Sequence, residues 1–229
     1  MKNFDWNEIR GSEKFYYTER IVLRPLMECD VYPMFLATTN PAFNRYLLWD
    51  APHTVSQLSE RIKKILDERR KGQMGALVAA EITTGAFVAL FKAHSISPPA
   101  GSDELHFETG IWLHPNFWLD GLSVEVSATC FDYLFDETSV DVLHAQTHQD
   151  NKACLGLFRA LNLQFGTETM VEHENGSLNP SFSYNIRRDQ WRRTLHAREN
   201  YEDINSTRMA KQKSMGGSEK AVKSSAKIV

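Results

Sequence analysis

The stretch GIWLHPNFWLDGLSVEV, residues 110–126, constrains the fold more than any other part of the chain. Its first four residues close an alternating strand at Leu113, and a loop carrying Pro115 and Gly121 follows. Leu122, Val126, Cys130 and Leu134 then share one face of a helix ending near Asp136. The first N–H groups of such a helix lack intrahelical acceptors and point outward, which favours an anion there. Gly121 permits close backbone approach, and Ser123 is small enough to do the same. A ligand carrying a diphosphate fits this junction, and so does a plain strand-to-helix connection.

The surrounding pattern mixes strands with helices. Residues 20–26, RIVLRPL, read as a strand near a sheet edge because Pro25 cuts it. A helical stretch over 28–38 follows, interrupted by Pro33, and Asn40-Pro41 marks a turn. Val55, Leu58, Ile62, Ile65 and Leu66 form one apolar stripe of a helix over 55–71, capped by the Thr54/Gln57 pair and stopped by Gly72. Strands over 76–82 and 86–93 make a hairpin, and a third covers 105–113. Beyond the 122–136 helix come a strand at 140–147, a helix at 151–161, strands at 163–170 and 181–187, and a final helix at 189–200.

Charge separates the body from the tail. Residues 205–229 carry Arg208, Lys211, Lys213, Lys220, Lys223 and Lys227 against Glu219, so the formal charge of -3 divides into +5 there and -8 over residues 1–204. An acidic body argues against general nucleic-acid binding, which needs a basic face. The tail has few large apolar groups and is expected to be disordered. No apolar run approaches the ~20 residues that span a bilayer, and the start MKNFDWNEIR has no signal-peptide centre, so a cytoplasmic protein is expected. Cys29, Cys130 and Cys154 indicate neither a disulfide framework nor a zinc site. His144 and His148 have the spacing of a helical metal pair but lie on a strand, so no metal is expected.

Four segments in order, TERIVLRPL, NPAFNRYLLWD, ETGIWLHPNFWLDGLSVEV and QDNKACLGLFRALNL, resemble the landmarks of the GNAT superfamily of acyl-CoA-dependent N-acetyltransferases. Within it they resemble the branch that acetylates ribosomal-protein N-termini and its relatives acting on small amines. The resemblance runs from about Thr18 to Trp191. It implies an α/β (α+β) domain over 18–204, a mixed, mostly antiparallel twisted sheet flanked by helices. Residues 1–17 form an extension and 205–229 a basic tail.

The family's pyrophosphate-loop pattern falls on Trp118, Leu119, Asp120, Gly121, Leu122 and Ser123. Leu119 stands where a Gly is usual, and Asp120 where a Lys or Arg is usual. A carboxylate beside a diphosphate costs roughly 1 to 4 kcal/mol at 4 Å, so Asp120 reads otherwise as a capping or solvent-facing group. The resemblance assigns acetyl-CoA binding to Trp112, Leu113, Trp118, Gly121, Leu122, Ser123 and Asn151. It assigns amine handling to Glu108, with His106 as a second candidate base, and protonation of the departing thiolate to Cys154. Tyr46, Trp49 and His53 fall where the branch lines its acceptor pocket.

An ammonium has no lone pair with which to attack a thioester, which is why a carboxylate such as Glu108 suits that place. Asn151 also reads as a helix cap, Cys154 as core filler, and Tyr46 and Trp49 as aromatic packing. The implied function is acetyl transfer from acetyl-CoA to a primary amine in a direct ternary complex. Two rivals stay open: a small-molecule acetyltransferase acting on a polyamine, amino acid or antibiotic, and a degenerate GNAT-like binding module. A homodimer is left open as well.

Overall fold

Residues 15–47, 49–118 and 121–194 are described in this computed structural model. Most of the expected N-terminal extension, Leu119 and Asp120, and the basic tail lie outside them. The chain divides into two units, Met1–Arg188 and Asp189–Val229. In the second, residues 189–194 are helical and Arg193 pairs with Asp189 one turn earlier at 2.8 Å.

The first unit begins with β1 (Tyr16–Tyr17) and β2 (Ile21–Pro25). A 3-10 turn over Glu28–Asp30 leads into α1 (Val31–Thr38). Pro33 does not interrupt this helix as expected from the sequence, because it occupies the third helical position, where an N–H has no intrahelical acceptor to lose. Asn40 Oδ1 accepts from Ala42 N at 2.9 Å and starts α2 (Pro41–Asn44).

The longer α3 (Val55–Arg70) opens with the expected capping box. Thr54 Oγ1 accepts from Gln57 N, and Gln57 Oε1 accepts from Thr54 N, each at 3.2 Å. Gly72, at φ 68°, lets the chain leave the helix. Leu58 and Ile62 of its stripe are fully buried, whereas Val55 at its start stays exposed.

The remaining elements are β3 (Met74–Glu81), β4 (Phe87–Ile96), β5 (His106–Leu113), a 3-10 turn at Pro115–Phe117, α4 (Leu122–Glu137), β6 (Val142–His148), α5 (Lys152–Ala160), β7 (Gln164–Glu172) and β8 (Leu178–Arg187). One eight-stranded sheet has the order β1-β2-β3-β4-β5-β6-β8-β7. Every neighbouring pair is antiparallel except β5 and β6, which run parallel. The last strand begins earlier than its apolar residues suggest. Pro180 is accommodated because the β6–β8 pairing ends at His148 and Ser181, so no ladder partner calls for its missing N–H, while its carbonyl still accepts from Gln149 N at 3.0 Å.

Helices cover both faces. Leu26, Val31, Met34, Leu58, Ile62, Val78 and Leu90 form a buried cluster under α1 and α3. On the other face Phe91 meets Phe131 of α4 edge-on, and Phe158 of α5 meets Tyr184 of β8. The α4 stripe Leu122, Val126, Cys130 and Leu134 is buried throughout. Burial of these side chains contributes roughly 1.5–3 kcal/mol for each large one.

Candidate functional site

The parallel pairing of β5 and β6 is short. It joins His106–Thr109 to Val142–Ala145 and stops. From there β5 continues with β4 alone as far as Leu113, and β6 continues with β8 alone as far as His148. The two strands therefore diverge as a fork. Thr109 Oγ1 donates to the His144 carbonyl at 2.9 Å at its closed end.

Backbone alternation decides which β5 amides face the gap. His114 N donates to Val88 O at 2.8 Å, so the N–H groups of Trp112 and Gly110 also turn toward β4. Those of Leu113 and Ile111 turn toward the gap. The Leu113 carbonyl points the same way and accepts from Trp118 Nε1 at 2.9 Å. Ile111 thus stands beside Leu113 in the fork, although the sequence reading did not single it out.

At the open end, Gly121 caps α4 in the left-handed region at φ 70°. A Cβ there would meet nothing within 4 Å, so it is the backbone conformation that calls for glycine. Leu122 and Ser123 supply the first helical N–H groups, which α4 itself cannot satisfy. Glu125, the acidic residue of that turn, is drawn sideways instead. It accepts from Arg20 Nε at 2.7 Å and also from Thr18 Oγ1. Trp118 remains 40% exposed.

On the β6 side, Asn151 caps α5 by accepting from Cys154 N at 3.2 Å. Burial pushes the Cys154 thiol up to about 11, with a hydrogen bond to Thr147 acting the other way. The thiol is therefore protonated across the neutral range.

The face of β5 turned toward α1 and α3 carries His106, Glu108, Gly110 and Trp112. Trp112 stacks on Trp49 with ring centroids 5.0 Å apart and meets Phe43 edge-on at 5.8 Å. The Arg61 guanidinium lies 4.6 Å from the Trp49 ring centre and makes paired hydrogen bonds of 2.7 Å to both Glu174 oxygens. Tyr46 stands apart from this stack. Its hydroxyl donates to Asp150 O at 3.1 Å and its ring lies 5.3 Å from His148. His53 lends its N–H to Gln57 Oε1 at the start of α3.

Glu108 lies opposite His94 on β4 and opposite His144 on β6. Lys92 lies opposite Gly110, and burial lowers its ammonium pKa against the raising influence of Glu68; Arg61 lowers it further and Glu108 raises it. His106 is buried deeper, its Nδ1 2.9 Å from Nε2 of His144. Glu108 and Trp112 thus share one face of β5, with Trp49 stacked on Trp112, while Leu113 and Trp118 meet at the edge of the fork. Arg61, Glu174, Thr109 and His144 join them without any local sequence signal, because each gains its place through a partner distant in the chain. Among the described residues no cluster of His, Cys, Asp and Glu fits a metal ion, and no helix is long and apolar enough to cross a membrane.

The chain shares the fold of Mycobacterium smegmatis RimJ in complex with CoA-disulfide, at 14% identity and a TM-score of 0.63, covering 73% of this chain and 81% of that one. It shares it with the ribosomal-protein-S5-alanine acetyltransferase of Vibrio fischeri, at 12% identity and a TM-score of 0.64, covering 78% and 98%. A third is the microcin C7 self immunity acetyltransferase MccE in complex with acetyl-CoA and AMP, at 14% identity and a TM-score of 0.63, covering 74% and 93%. No curated protein matches the chain. The family model described as acetyltransferase (GNAT) domain matches residues 20–164, which take in the fork, α4 and α5, and the chain belongs to this family.

Proposed function

We infer that the protein transfers an acetyl group from acetyl-CoA to a primary amine, a protein N-terminal α-amine or a small-molecule amine, by direct attack in a ternary complex. The β5/β6 fork carries this reading. Its Ile111 and Leu113 amides face the gap left where β5 and β6 stop pairing, and an extended chain with amide groups can pair with them. One of these donors can also polarise a thioester carbonyl at the closed end. The N–H groups of Gly121, Leu122 and Ser123 receive the diphosphate.

Glu108 holds the incoming ammonium on the Trp49/Trp112 side. Cys154 returns a proton to the departing thiolate in step with its departure; the raised pKa keeps the thiol protonated, which disfavours a nucleophilic role and a covalent intermediate. Asn151 fixes the start of α5 and with it Cys154. The -8 charge of residues 1–204 attracts a cationic acceptor. Positioning supplies most of the rate. The Arg61–Glu174 bridge spans from α3 to the turn before β8 and favours a compact amine over a long peptide.

Calorimetry with acetyl-CoA, followed by free-thiol release over a panel of polyamines, amino acids and N-terminal peptides, tests this. Binding with turnover of at least one amine is expected, and Glu108→Gln should lower turnover about 100-fold while leaving acetyl-CoA affinity in place. Binding without turnover across the panel would favour a binding module. Absence of binding at millimolar acetyl-CoA would sink the enzyme reading.

A further inference from the structure

We propose that His144 is the base that takes the acceptor's proton, held in the required tautomer by a chain that runs through His106 to Glu104. The proposal rests on the acetyl-transfer reading above, in which Glu108 binds the ammonium.

The geometry begins with one hydrogen bond. His106 Nδ1 and His144 Nε2 are 2.9 Å apart, and the rings meet edge to edge with centroids 5.0 Å apart and planes 25° from parallel. A single hydrogen lies between these nitrogens, so one ring donates and the other accepts. His106 is 6% exposed, and its Nε2 has no hydrogen-bond partner among the described residues. It faces Glu104 Oε2 at 3.5 Å.

A carboxylate in that position favours an N–H at Nε2 of His106. Its Nδ1 is then bare and accepts from His144 Nε2–H. That in turn leaves Nδ1 of His144 as a bare, basic nitrogen. Glu104 is itself anchored by Arg187, whose Nη1 lies 3.3 Å from Glu104 Oε2, so the far end of the chain is fixed. The Arg187 guanidinium, burial to the contrary, keeps the Glu104 carboxyl below its ordinary value.

His144 also occupies the place that the chemistry needs. It lies opposite Glu108 in the parallel register, about 5 Å away across the strands. It is the penultimate paired residue before β5 and β6 part, and Thr109 fixes its carbonyl there. Burial lowers the pKa of His144, and His106 adds to this, so the ring is neutral and ready to accept near pH 7. The charged or titratable groups on this face of β4, β5, β6 and β8 are Glu108 and His106 of β5, Lys92 and His94 of β4, His148 of β6, and Arg187 of β8, with Glu104 before β5.

In the step itself an N–H bond of the ammonium breaks and an Nδ1–H bond forms on His144. The freed lone pair forms the C–N bond as the C–S bond breaks, and the thiolate leaves with a proton from Cys154. The second proton lost by the nitrogen replaces that one by way of solvent, and the imidazolium later gives its proton to water. Glu108 and Glu104 stabilise the cation while it exists. His106 is a positioning residue, since it acts through His144.

Histidine nitrogen–proton correlation spectra of the full chain test the tautomers without an acceptor. Both rings should show the Nε2–H form, and Glu104→Gln should disturb both. A His144 ring in the Nδ1–H form, or one indifferent to Glu104→Gln, overturns the proposal. The kinetic arm uses acetyl-CoA and the amine turned over fastest in the panel. His144→Gln should lower kcat about 100-fold, leave KM for acetyl-CoA unchanged and remove the acid limb of the kcat/KM profile.

His106→Asn keeps an acceptor near the Nδ1 place and should retain most of the activity, whereas His106→Phe should behave as His144→Gln. Retention of kcat and of the acid limb in His144→Gln overturns the role. If the unsubstituted protein itself turns over no amine, the acetyl-transfer reading has failed, and this base falls with it.

Discussion

Arg61 of α3 and Glu174, in the turn between β7 and β8, face each other with two parallel hydrogen bonds of 2.7 Å. The same guanidinium covers Trp49, which stacks on Trp112 of β5. Glu174 Oε2 also accepts from Asp50 N at 3.2 Å. One ion pair thus ties a helix, residues 49–50 and a hairpin turn together beside Trp112 of β5. Its planar, bidentate form is one that a lysine at 61 could not reproduce.

Replacing Arg61 with Ala should raise KM for the amine acceptor several-fold and leave acetyl-CoA binding unchanged. The amides proposed for the cofactor lie on the edge of β5 that faces the gap and at the start of α4, whereas this pair reaches β5 only through the Trp49/Trp112 stack on its face. Both side chains are about a third or more exposed, so the stability cost is expected at about 1 kcal/mol or less. Acceptor kinetics and acetyl-CoA calorimetry on the variant check the split, and an equal loss in both would show that the pair organises the whole fork.

The same pair sets a pH window. The Arg61 guanidinium, against desolvation and with help from the Asp50 N–H, holds the Glu174 carboxyl down at about 2. A free glutamate ionises near 4.3. The folded form is therefore favoured above about pH 4.3, and this contribution is lost as the pH falls toward 2. Denaturant titrations from about pH 6 to 2 should show a shallower acid decline for Glu174→Gln than for the unsubstituted chain. Parallel curves would mean that solvent screening has removed the contribution.

The fold was legible where local chemistry repeats along the chain. The Thr54/Gln57 box, the Leu58/Ile62 stripe and the Gly121 junction each rest on neighbouring residues, and each stands in the structure. Pro33 misled because its effect depends on its distance from the helix start, which the apolar pattern alone does not locate. The candidate site was legible in part. Glu108 and Trp112 come from the family resemblance, and strand alternation puts them on one face of β5, but the partnership of Arg61 with Glu174 spans 113 residues. Likewise, His144 joins His106 only through the parallel register of β5 and β6. No spacing in one dimension encodes either pair.

Gly121→Ala should separate backbone strain from ligand crowding. With φ at 70° and nothing within 4 Å of a Cβ, the free protein opposes alanine only through its backbone. The expected loss is about 1 kcal/mol, or roughly 2–4 °C in Tm for a chain of this size. Asparagine tolerates the left-handed region better and should recover part of that Tm. If a diphosphate lies against the Gly121 backbone, Asn will recover Tm without recovering acetyl-CoA affinity. Recovery of both would move the diphosphate away from this turn.

Cys154 offers the sharpest test of how the thiolate leaves. Its thiol, at about 11, is a weaker acid than a free cysteine near 8.5. Delivering its proton to a free thiolate therefore opposes the reaction by about 3 kcal/mol unless departure of the thiolate and proton transfer occur together. Cys154→Ala should lower kcat about 10- to 100-fold with acetyl-CoA affinity retained if the proton comes from this residue. Cys154→Ser restores a hydroxyl donor at the same place and should regain part of that loss. The Asn151 cap uses the backbone N–H of residue 154 and survives both substitutions, so a shared loss of folding is not expected. Unchanged kcat in Cys154→Ala would return Cys154 to packing against Thr147 and give the proton to water.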